Sequence, residues 1–202
     1  MIDEPPGPPD DTLLMALGQG DRDAFVTLYR RYHEIVHRFA FQMSGSDTVA
    51  EDITQETFLA LTSGARRYDA SQAKFSTYLY GIVRHLTRRR LRRDRVFVTI
   101  TGANADRWQA SEPLVEQALV EAASAQQTIE RVRRAVLSLP PRYREVVVLC
   151  DLHGKSYGDA AAIVGCSLGT VRSRLHRSRA LLRQKLASAT EVVGVGLAPR
   201  SP

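Results

Sequence analysis

The chain has 202 residues, with 28 lysines and arginines against 22 aspartates and glutamates, so its formal net charge is +6. Its length allows one domain or two small ones, and 44% hydrophobic and 25% charged residues exclude a disordered or fibrous protein. No segment approaches the roughly 20 apolar residues of a membrane-spanning helix. The acidic, proline-rich N-terminus does not match a secretory signal, and two cysteines outside any CxxC pair do not make a disulfide framework. These features predict a cytoplasmic protein with reduced cysteines, and the charge favours an anionic partner.

The positive charge is concentrated in two parts of the chain. Residues 1–95 carry 14 basic against 13 acidic side chains, but seven of the arginines lie within positions 84–95. Residues 96–128 carry a net charge of −3, and residues 129–202 a net charge of +8. Helix faces that are simply exposed to solvent would also explain such runs of basic residues. Because the guanidinium fork suits phosphate oxygens, two arginine-rich centres favour contacts with nucleic acid.

Helical periodicity dominates the first half of the chain. Residues 1–10 predict a flexible leader. Apolar residues spaced by three and four predict helices over 21–43 and 47–61, and a third from Phe75 into the arginines. The segment 64–74 has no clear period and predicts a loop.

A linker and a second helical block follow. The only β-like run is VFVTIT at 96–101, and the polar, acidic segment after it predicts a linker whose second half can be helical. Helical periodicity returns after the linker and predicts three helices, over 129–139, 141–152 and 168–186. The Pro140-Pro141 pair ends the first of them and the His153-Gly154 pair ends the second. The predicted fold class is therefore all-α, with two small helical domains joined by a flexible linker.

Residues 156–179 have the pattern of a helix-turn-helix. Ala161 allows close helix packing, Gly165 suits a left-handed turn, and Ser167 can cap the second helix. Val171 and Leu175, one turn apart, would anchor that helix to the core. A plain helical hairpin with a basic outer face is the alternative. In the helix-turn-helix, the side chains left for base edges and phosphates are Thr170, Arg172, Ser173, Arg174, His176 and Arg177.

The sequence HEIVH at positions 33–37 also matches the HExxH motif of zinc proteases. On a helix, His33 and His37 would share a face, Glu34 could act as general base, and Glu56 lies near a possible third-ligand position. Several arginines on the same helix oppose a divalent cation, and no strand framework accompanies it. The zinc hydrolase hypothesis is therefore disfavoured, and no metal or other cofactor is expected.

Five segments, in this order and spacing, resemble bacterial RNA polymerase sigma factors of the extracytoplasmic-function (ECF) group in the sigma-70 family. They are DAFVTLYRRY (23–32), AEDITQETFLAL (50–61), KFSTYLYGIVRH (74–85), LSLPPRYREVVVL (137–149) and GKSYGDAAAIVGCSLGTVRSRLHRSRALLRQKL (154–186). The resemblance implies that residues 11–95 form sigma domain two and residues 128–188 form sigma domain four. Residues 96–127 would be an acidic linker and residues 189–202 a tail.

The resemblance also implies partners and site residues. Such a protein is not an enzyme; it binds the clamp and flap of core polymerase and promoter DNA, and many relatives are held inactive by an anti-sigma factor. The implied polymerase-binding residues are Asp52, Gln55, Glu56 and Phe58, and segment 137–149 is similar to the part seated on the flap. The implied −10 element contacts are Lys74, Tyr78, Arg84, His85, Arg88 and Arg89. The implied −35 element contacts are Ser167, Thr170, Arg172, Ser173, Arg174, His176 and Arg177.

This sequence departs from the family pattern at two −10 positions. Tyr78 stands where the family usually has tryptophan, and His85 stands where asparagine is frequent. The alternative function is a helix-turn-helix regulator that binds DNA without polymerase. That alternative uses segment 156–179 equally well, but it leaves segment 50–61 and the loop before Phe75 unexplained.

Overall fold

The structure, a computed structural model, describes residues 7–65, 68–101 and 118–194, with side chains for 7–65, 68–94 and 126–187. Within those residues it contains α-helices and no strand, so the predicted all-α class is confirmed. The first domain contains α1 (Asp10–Gly18), α2 (Arg22–Ser44), α3 (Asp47–Gly64) and α4 (Phe75–Thr101). The second contains α5 (Ala118–Leu137), α6 (Pro141–Val147), a π-helical turn (Val148–Leu152), α7 (Tyr157–Val164) and α8 (Leu168–Gly194).

Capping residues set the bounds of α2 and α3 in the first domain. The Asp21 carboxylate accepts a hydrogen bond from the backbone N–H of Asp23 at 2.8 Å and starts α2. Gly45 ends α2 in the left-handed conformation, at φ 77°, which glycine adopts without a steric penalty. Ser46 then caps α3. The helices predicted over 21–43 and 47–61 are therefore confirmed.

Helix α1 was not predicted from the sequence. Asp10, the last residue of the predicted leader, opens this helix together with Asp11, and Leu13, Leu14 and Leu17 are buried against α2 and α3. The Asp10 carboxylate accepts hydrogen bonds from Arg31 and Tyr32 of α2. The apolar stripe and these two bonds fix the segment to the domain.

The β-like run at 96–101 is helical in the structure, as the last part of α4. A single short strand without a partner is not stable, whereas extending an existing helix adds one hydrogen bond for each residue fixed. Helix α4 thus continues into the start of the segment predicted as a linker, over 96–101, and α5 begins at Ala118, in the half of that segment that was expected to be able to form a helix. Residues 102–117 lie outside the described residues.

The second domain has the predicted helix-turn-helix. Gly165 is left-handed at φ 70° and separates α7 from α8, and Ser167 Oγ accepts from the backbone N–H of Thr170 at 3.2 Å. Val171 and Leu175 are 0% and 2% exposed, so both anchor α8 as predicted. Helix α8 extends to Gly194, beyond the predicted start of the tail at residue 189, and residues 195–202 lie outside the described residues.

The two domains pack against each other. Helix α4 contacts α7, and α2 contacts both α5 and the π-helical turn. The apolar cores of the two domains are continuous through this contact. None of the helices in the described part of the chain is long and apolar enough to cross a membrane.

Candidate nucleic-acid interface

The outward face of α8 is the larger part of the candidate interface. With Val171, Leu175 and Ser178 buried, the other side chains of its first three turns point to solvent. Arg172, Ser173, His176 and Arg177 are exposed, as is the capping residue Ser167. Thr170 and Arg174 are half-buried at the edge, and Thr170 Oγ1 lies 2.9 Å from Ser167 Oγ. The structure thus brings all seven predicted −35 residues to one end of one helix.

The buried Ser178 fixes the orientation of this helix. Its hydroxyl lies 3.3 Å from the Tyr143 carbonyl oxygen of α6 and 2.5 Å from the Arg174 carbonyl oxygen. Pairing with a neighbouring helix and with the preceding turn holds the helix in register against α6. Ser178 therefore helps to position the exposed side chains in the first turns of α8.

A shallow depression between α7 and α8 adds residues that the sequence analysis missed. It is lined by Tyr157 and by a basic stripe along α8 that includes Arg172, His176, Arg179 and Arg183. Arg179 pairs with Asp151 at 2.6 Å, and this carboxylate raises the pKa of the guanidinium. The spacing of 172, 176, 179 and 183 is helical, so the stripe could have been found in the sequence by extending the helix face by two turns.

The arginines of α4 form a second basic surface, and the structure divides them into two groups. Three of them are engaged by acidic side chains: Arg84 by Glu145, Arg89 by Glu56 at 2.6 Å, and Arg90 by Asp52 at 3.1 Å. Three more of those whose side chains are described are exposed and make no ion pair with any described side chain: Arg88, Arg92 and Arg93. The sequence predicted the charge of this surface but not the pairing.

The remaining −10 candidates differ in accessibility. Lys74 and His85 are exposed. Tyr78 is half-buried; its ring centre lies 5.2 Å from that of Tyr68, and its hydroxyl donates to the Gly64 carbonyl oxygen at 3.4 Å. Tyr78 therefore packs against the loop that precedes α4 instead of projecting freely from the surface.

The polymerase-binding candidates lie on α3, and one of them is not at the surface. Asp52 and Gln55 are exposed, and Glu56 is partly exposed. Phe58 is only 3% exposed, because its ring packs at 4.7 Å from that of Tyr29 and at 6.3 Å from that of Phe25. In this structure Phe58 therefore packs between α3 and α2, and a direct polymerase contact by its ring stays a prediction.

The HExxH motif lies on α2 without a metal-site arrangement. The rings of His33 and His37 stack with centres 6.3 Å apart, and His37 Nε2 lies 3.3 Å from an Asp47 oxygen. Glu34 pairs with Arg38, while Glu56 pairs with Arg89. Among the described residues, no three potential ligands converge on one point. The motif is accounted for by local side-chain pairing.

Comparisons with known proteins match both halves of the chain. The family model of sigma-70 region 2 matches residues 28–96, and that of sigma-70 region 4 matches residues 129–182. The ECF RNA polymerase sigma factor SigM of Mycobacterium tuberculosis is 37% identical over 180 residues, which cover 88% of this chain and 84% of that protein. SigE of Mycolicibacterium smegmatis is 37% identical over 161 residues, which cover 79% of this chain and 60% of that longer protein.

The fold is also that of solved sigma factors. The sigma factor RpoE of Bartonella quintana, crystallised with the anti-sigma factor NepR, matches with a TM-score of 0.66 and 24% identity. That match covers 81% of this chain and 96% of RpoE. The helical fold, the helix-turn-helix and the two family matches agree with one another. This chain belongs to the sigma-70 family, in its extracytoplasmic-function group.

Proposed function

We propose that this chain directs RNA polymerase to promoters by reading two DNA elements with two different helices. The observation that carries this is the pairing of an exposed, basic helix-turn-helix face with a second basic helix on a separate domain, within a sigma-70 sequence. Helix α8 would enter the major groove at the −35 element through Arg172, Ser173, His176 and Arg177. Arginine can bond guanine bidentately, and serine can bond bases or phosphates.

Domain two would act at the −10 element. Opening of the DNA strands exposes bases that need stacking surfaces, and arginines would hold the backbone. Lys74, His85 and Arg88 are exposed for that purpose, and Arg89 would exchange Glu56 for a phosphate. Tyr78 is half-buried and packs near Tyr68, so a base would stack on the part of its ring that remains accessible.

Helix α3 would bind the polymerase. Asp52, Gln55 and Glu56 present two carboxylates and an amide on one face, which suits a basic helix of the partner. The chain itself would catalyse nothing, because polymerase performs the chemistry, and it would act in the cytoplasm where polymerase and the chromosome are. The RpoE–NepR complex supports the further proposal that an anti-sigma factor binds this chain as well.

The direct test is transcription of fragmented host DNA by bacterial core polymerase, with and without this protein, followed by mapping of transcript 5′ ends. We expect new start sites that share two upstream elements. Absence of new starts, together with absence of polymerase binding by a folded protein, would reject the proposal in favour of a polymerase-independent regulator.

A matched pair of variants separates the two functions. Asp52→Asn/Glu56→Gln should abolish polymerase binding and the new starts while leaving binding of α8 to its DNA element intact. Arg172→Ala should weaken binding to the −35 element while leaving polymerase binding intact. A regulator that acts without polymerase would be impaired by the second change only.

A further inference from the structure

Two neighbouring carboxylates of α1 bind different parts of the first domain. The Asp10 carboxylate accepts hydrogen bonds from Arg31 and Tyr32 and ties α1 to α2. The Asp11 carboxylate instead accepts from the hydroxyl of Tyr68 at 2.5 Å, in the loop that precedes α4. Helix α1 is therefore connected to the loop that leads into the helix of the −10 candidates.

The Tyr68 hydroxyl has two acceptors within hydrogen-bond distance. It lies 2.5 Å from Asp11 Oδ1 and 2.9 Å from the Ala73 carbonyl oxygen, at the end of the same loop. A hydroxyl carries one proton, so it donates fully to only one acceptor at a time. The carboxylate is the stronger acceptor, because hydrogen bonds to an ionised group are roughly twice as strong as neutral ones. Asp11 therefore makes the main polar contact that fixes Tyr68.

The ring of Tyr68 supports the aromatic side chains at the start of α4. Its centre lies 6.3 Å from that of Phe75 and 5.2 Å from that of Tyr78. Phe75 is 3% exposed and also packs against Tyr32, with ring centres 5.0 Å apart. Tyr78 is the proposed stacking residue for the −10 element. Asp11 is thus linked to that residue through one intervening side chain, Tyr68.

Tyr78 has little space in which to move away from this support. Its hydroxyl donates to the Gly64 carbonyl oxygen at 3.4 Å. A Cβ atom added at Gly64 would lie only 2.8 Å from the Tyr78 hydroxyl oxygen. Tyr78 is therefore held between Gly64 and Tyr68, and a displacement of Tyr68 is transmitted to it.

The charge of Asp11 argues against a direct contact with DNA. Asp11 is exposed, and its carboxylate would repel the phosphates of a strand bound at the neighbouring loop. Loss of this charge alone should strengthen sequence-independent binding of DNA. Loss of an orienting contact should weaken sequence recognition. The two roles therefore predict effects of opposite sign.

We propose that Asp11 is a positioning residue for recognition of the −10 element. It holds Tyr68, and through it Tyr78 and loop 68–74, in the arrangement that receives the opened strand. Ordering the loop before DNA arrives reduces the ordering cost of binding. The effect on the −10 element rests on the proposed function, whereas the ordering of the loop by Asp11 does not.

Three variants isolate the contact. Asp11→Ala removes the acceptor, and Tyr68→Phe removes the donor while keeping the ring. Asp11→Asn is the matched control. It removes the charge, but its amide N–H can donate to the Tyr68 oxygen while the Tyr68 hydroxyl donates to the Ala73 carbonyl oxygen.

The first test measures the order of the loop in the full chain without polymerase. Hydrogen exchange of the backbone amides of residues 68–78 is followed by mass spectrometry. We expect about fivefold faster exchange in Asp11→Ala and in Tyr68→Phe, as for the loss of one hydrogen bond. Asp11→Asn should match the parent chain, and α8 should be unchanged in all variants. Equal exchange of residues 68–78 in the parent chain and in Asp11→Ala would overturn the positioning role.

The second test measures recognition by the chain bound to core polymerase. The two probes are a labelled single strand carrying the −10 sequence found by transcript mapping and a scrambled strand of the same composition. We expect the preference for the first strand to fall about fivefold in Asp11→Ala and in Tyr68→Phe. The double variant should lose no more, because both changes break the same bond. Asp11→Ala should bind the scrambled strand as tightly as the parent chain or more tightly, whereas a merely destabilised domain would bind both strands less tightly.

The outcomes separate this proposal from the proposed function. An unchanged preference in Asp11→Ala would overturn the role in recognition, and an equal loss in Asp11→Ala and Asp11→Asn would assign the effect to charge and overturn it as well. Losses that multiply in the double variant would show that the two residues act independently. A folded parent chain that does not bind polymerase would overturn the proposed function and the role in recognition with it, while hydrogen exchange would still decide whether Asp11 orders the loop.

Discussion

The ion pair between Glu56 and Arg89 connects α3, which is proposed to bind polymerase, with α4, which is proposed to bind DNA. Glu56 is proposed to bind polymerase, and Arg89 is proposed to bind DNA, yet their side chains lie 2.6 Å apart and are 43% and 61% exposed. The carboxylate therefore competes with phosphate for the same guanidinium. We predict that Glu56→Gln strengthens binding of DNA by the isolated chain and weakens binding of polymerase.

The exposure of the pair limits the size of this effect. An exposed ion pair contributes about 0.2–1 kcal/mol, so releasing Arg89 should lower the dissociation constant for DNA by roughly 1.4- to 5-fold. Release of one arginine should also add one phosphate contact. The slope of log K against log salt should then become steeper by ~0.9 for duplex DNA and by ~0.7 for a single strand.

The assay is fluorescence anisotropy of a labelled oligonucleotide at ionic strengths between 50 and 200 mM. Glu51→Gln is the matched control, because Glu51 is exposed on the same helix and makes no ion pair with any described side chain. It removes the same charge without releasing an arginine. We expect it to shift affinity slightly and to leave the salt slope unchanged.

Two results would refute the reasoning. A Glu56→Gln chain whose salt slope equals that of the parent would show that Arg89 gains no phosphate contact. Equal affinity gains for Glu56→Gln and Glu51→Gln would show that net charge alone is responsible. Gel filtration with core polymerase supplies the second half of the prediction, since binding should decrease for Glu56→Gln and remain for Glu51→Gln.

Three further predictions concern single side chains. Burial, with Arg38 and Lys155 nearby, lowers the pKa of His153 from 6.5 to about 4; because the packed histidine is therefore neutral, the free energy of unfolding should decrease as the pH falls from 6.5 toward 4, and His153→Gln should reduce this pH dependence in denaturant titrations. Arg172→Ala should cost about 1–3 kcal/mol of binding to the −35 element and relax the preference at one base pair, as measured with a set of single-substituted duplexes. Leu175→Ala should lower the free energy of unfolding by about 2–5 kcal/mol in denaturant titration, because it empties a fully buried site beneath α8.

Capping residues and the spacing of apolar residues were sufficient to predict most of the helices that the structure describes. Asp21 and Ser46 start helices, Gly45 and Gly165 end them, and all four are visible as residue types at the limits of periodic segments. The anchors of the helix-turn-helix follow from the same periodicity. These predictions hold because capping and helix faces depend on residues within four positions of each other.

The errors arise where distant residues decide the structure. Asp10 opens a helix because Arg31 and Tyr32, more than twenty positions away, bind its carboxylate. The run 96–101 is helical because no second strand exists in the described residues to pair with it. Phe58 was expected to contact polymerase because an aromatic ring beside carboxylates suits a protein partner, but Tyr29 and Phe25 pack against its ring. Residue type alone does not specify such partners.

Ion pairs between distant residues also explain a second limit. The charge of the two basic centres was predictable from the sequence, but which of their arginines are free to bind phosphate was not. Arg89 holds an exposed partner that it can exchange at about 0.2–1 kcal/mol. Arg90 is less exposed and is held by both Asp52 and Asp94. Arg84 is different, because removing Glu145 from this buried pair leaves a charge whose isolation costs about 3–5 kcal/mol. Phosphate can therefore compete readily for Arg89, whereas Arg84 is held by a buried carboxylate from α6. On the proposed function, contact with the −10 element through Arg89 is coupled to engagement of Glu56 by polymerase.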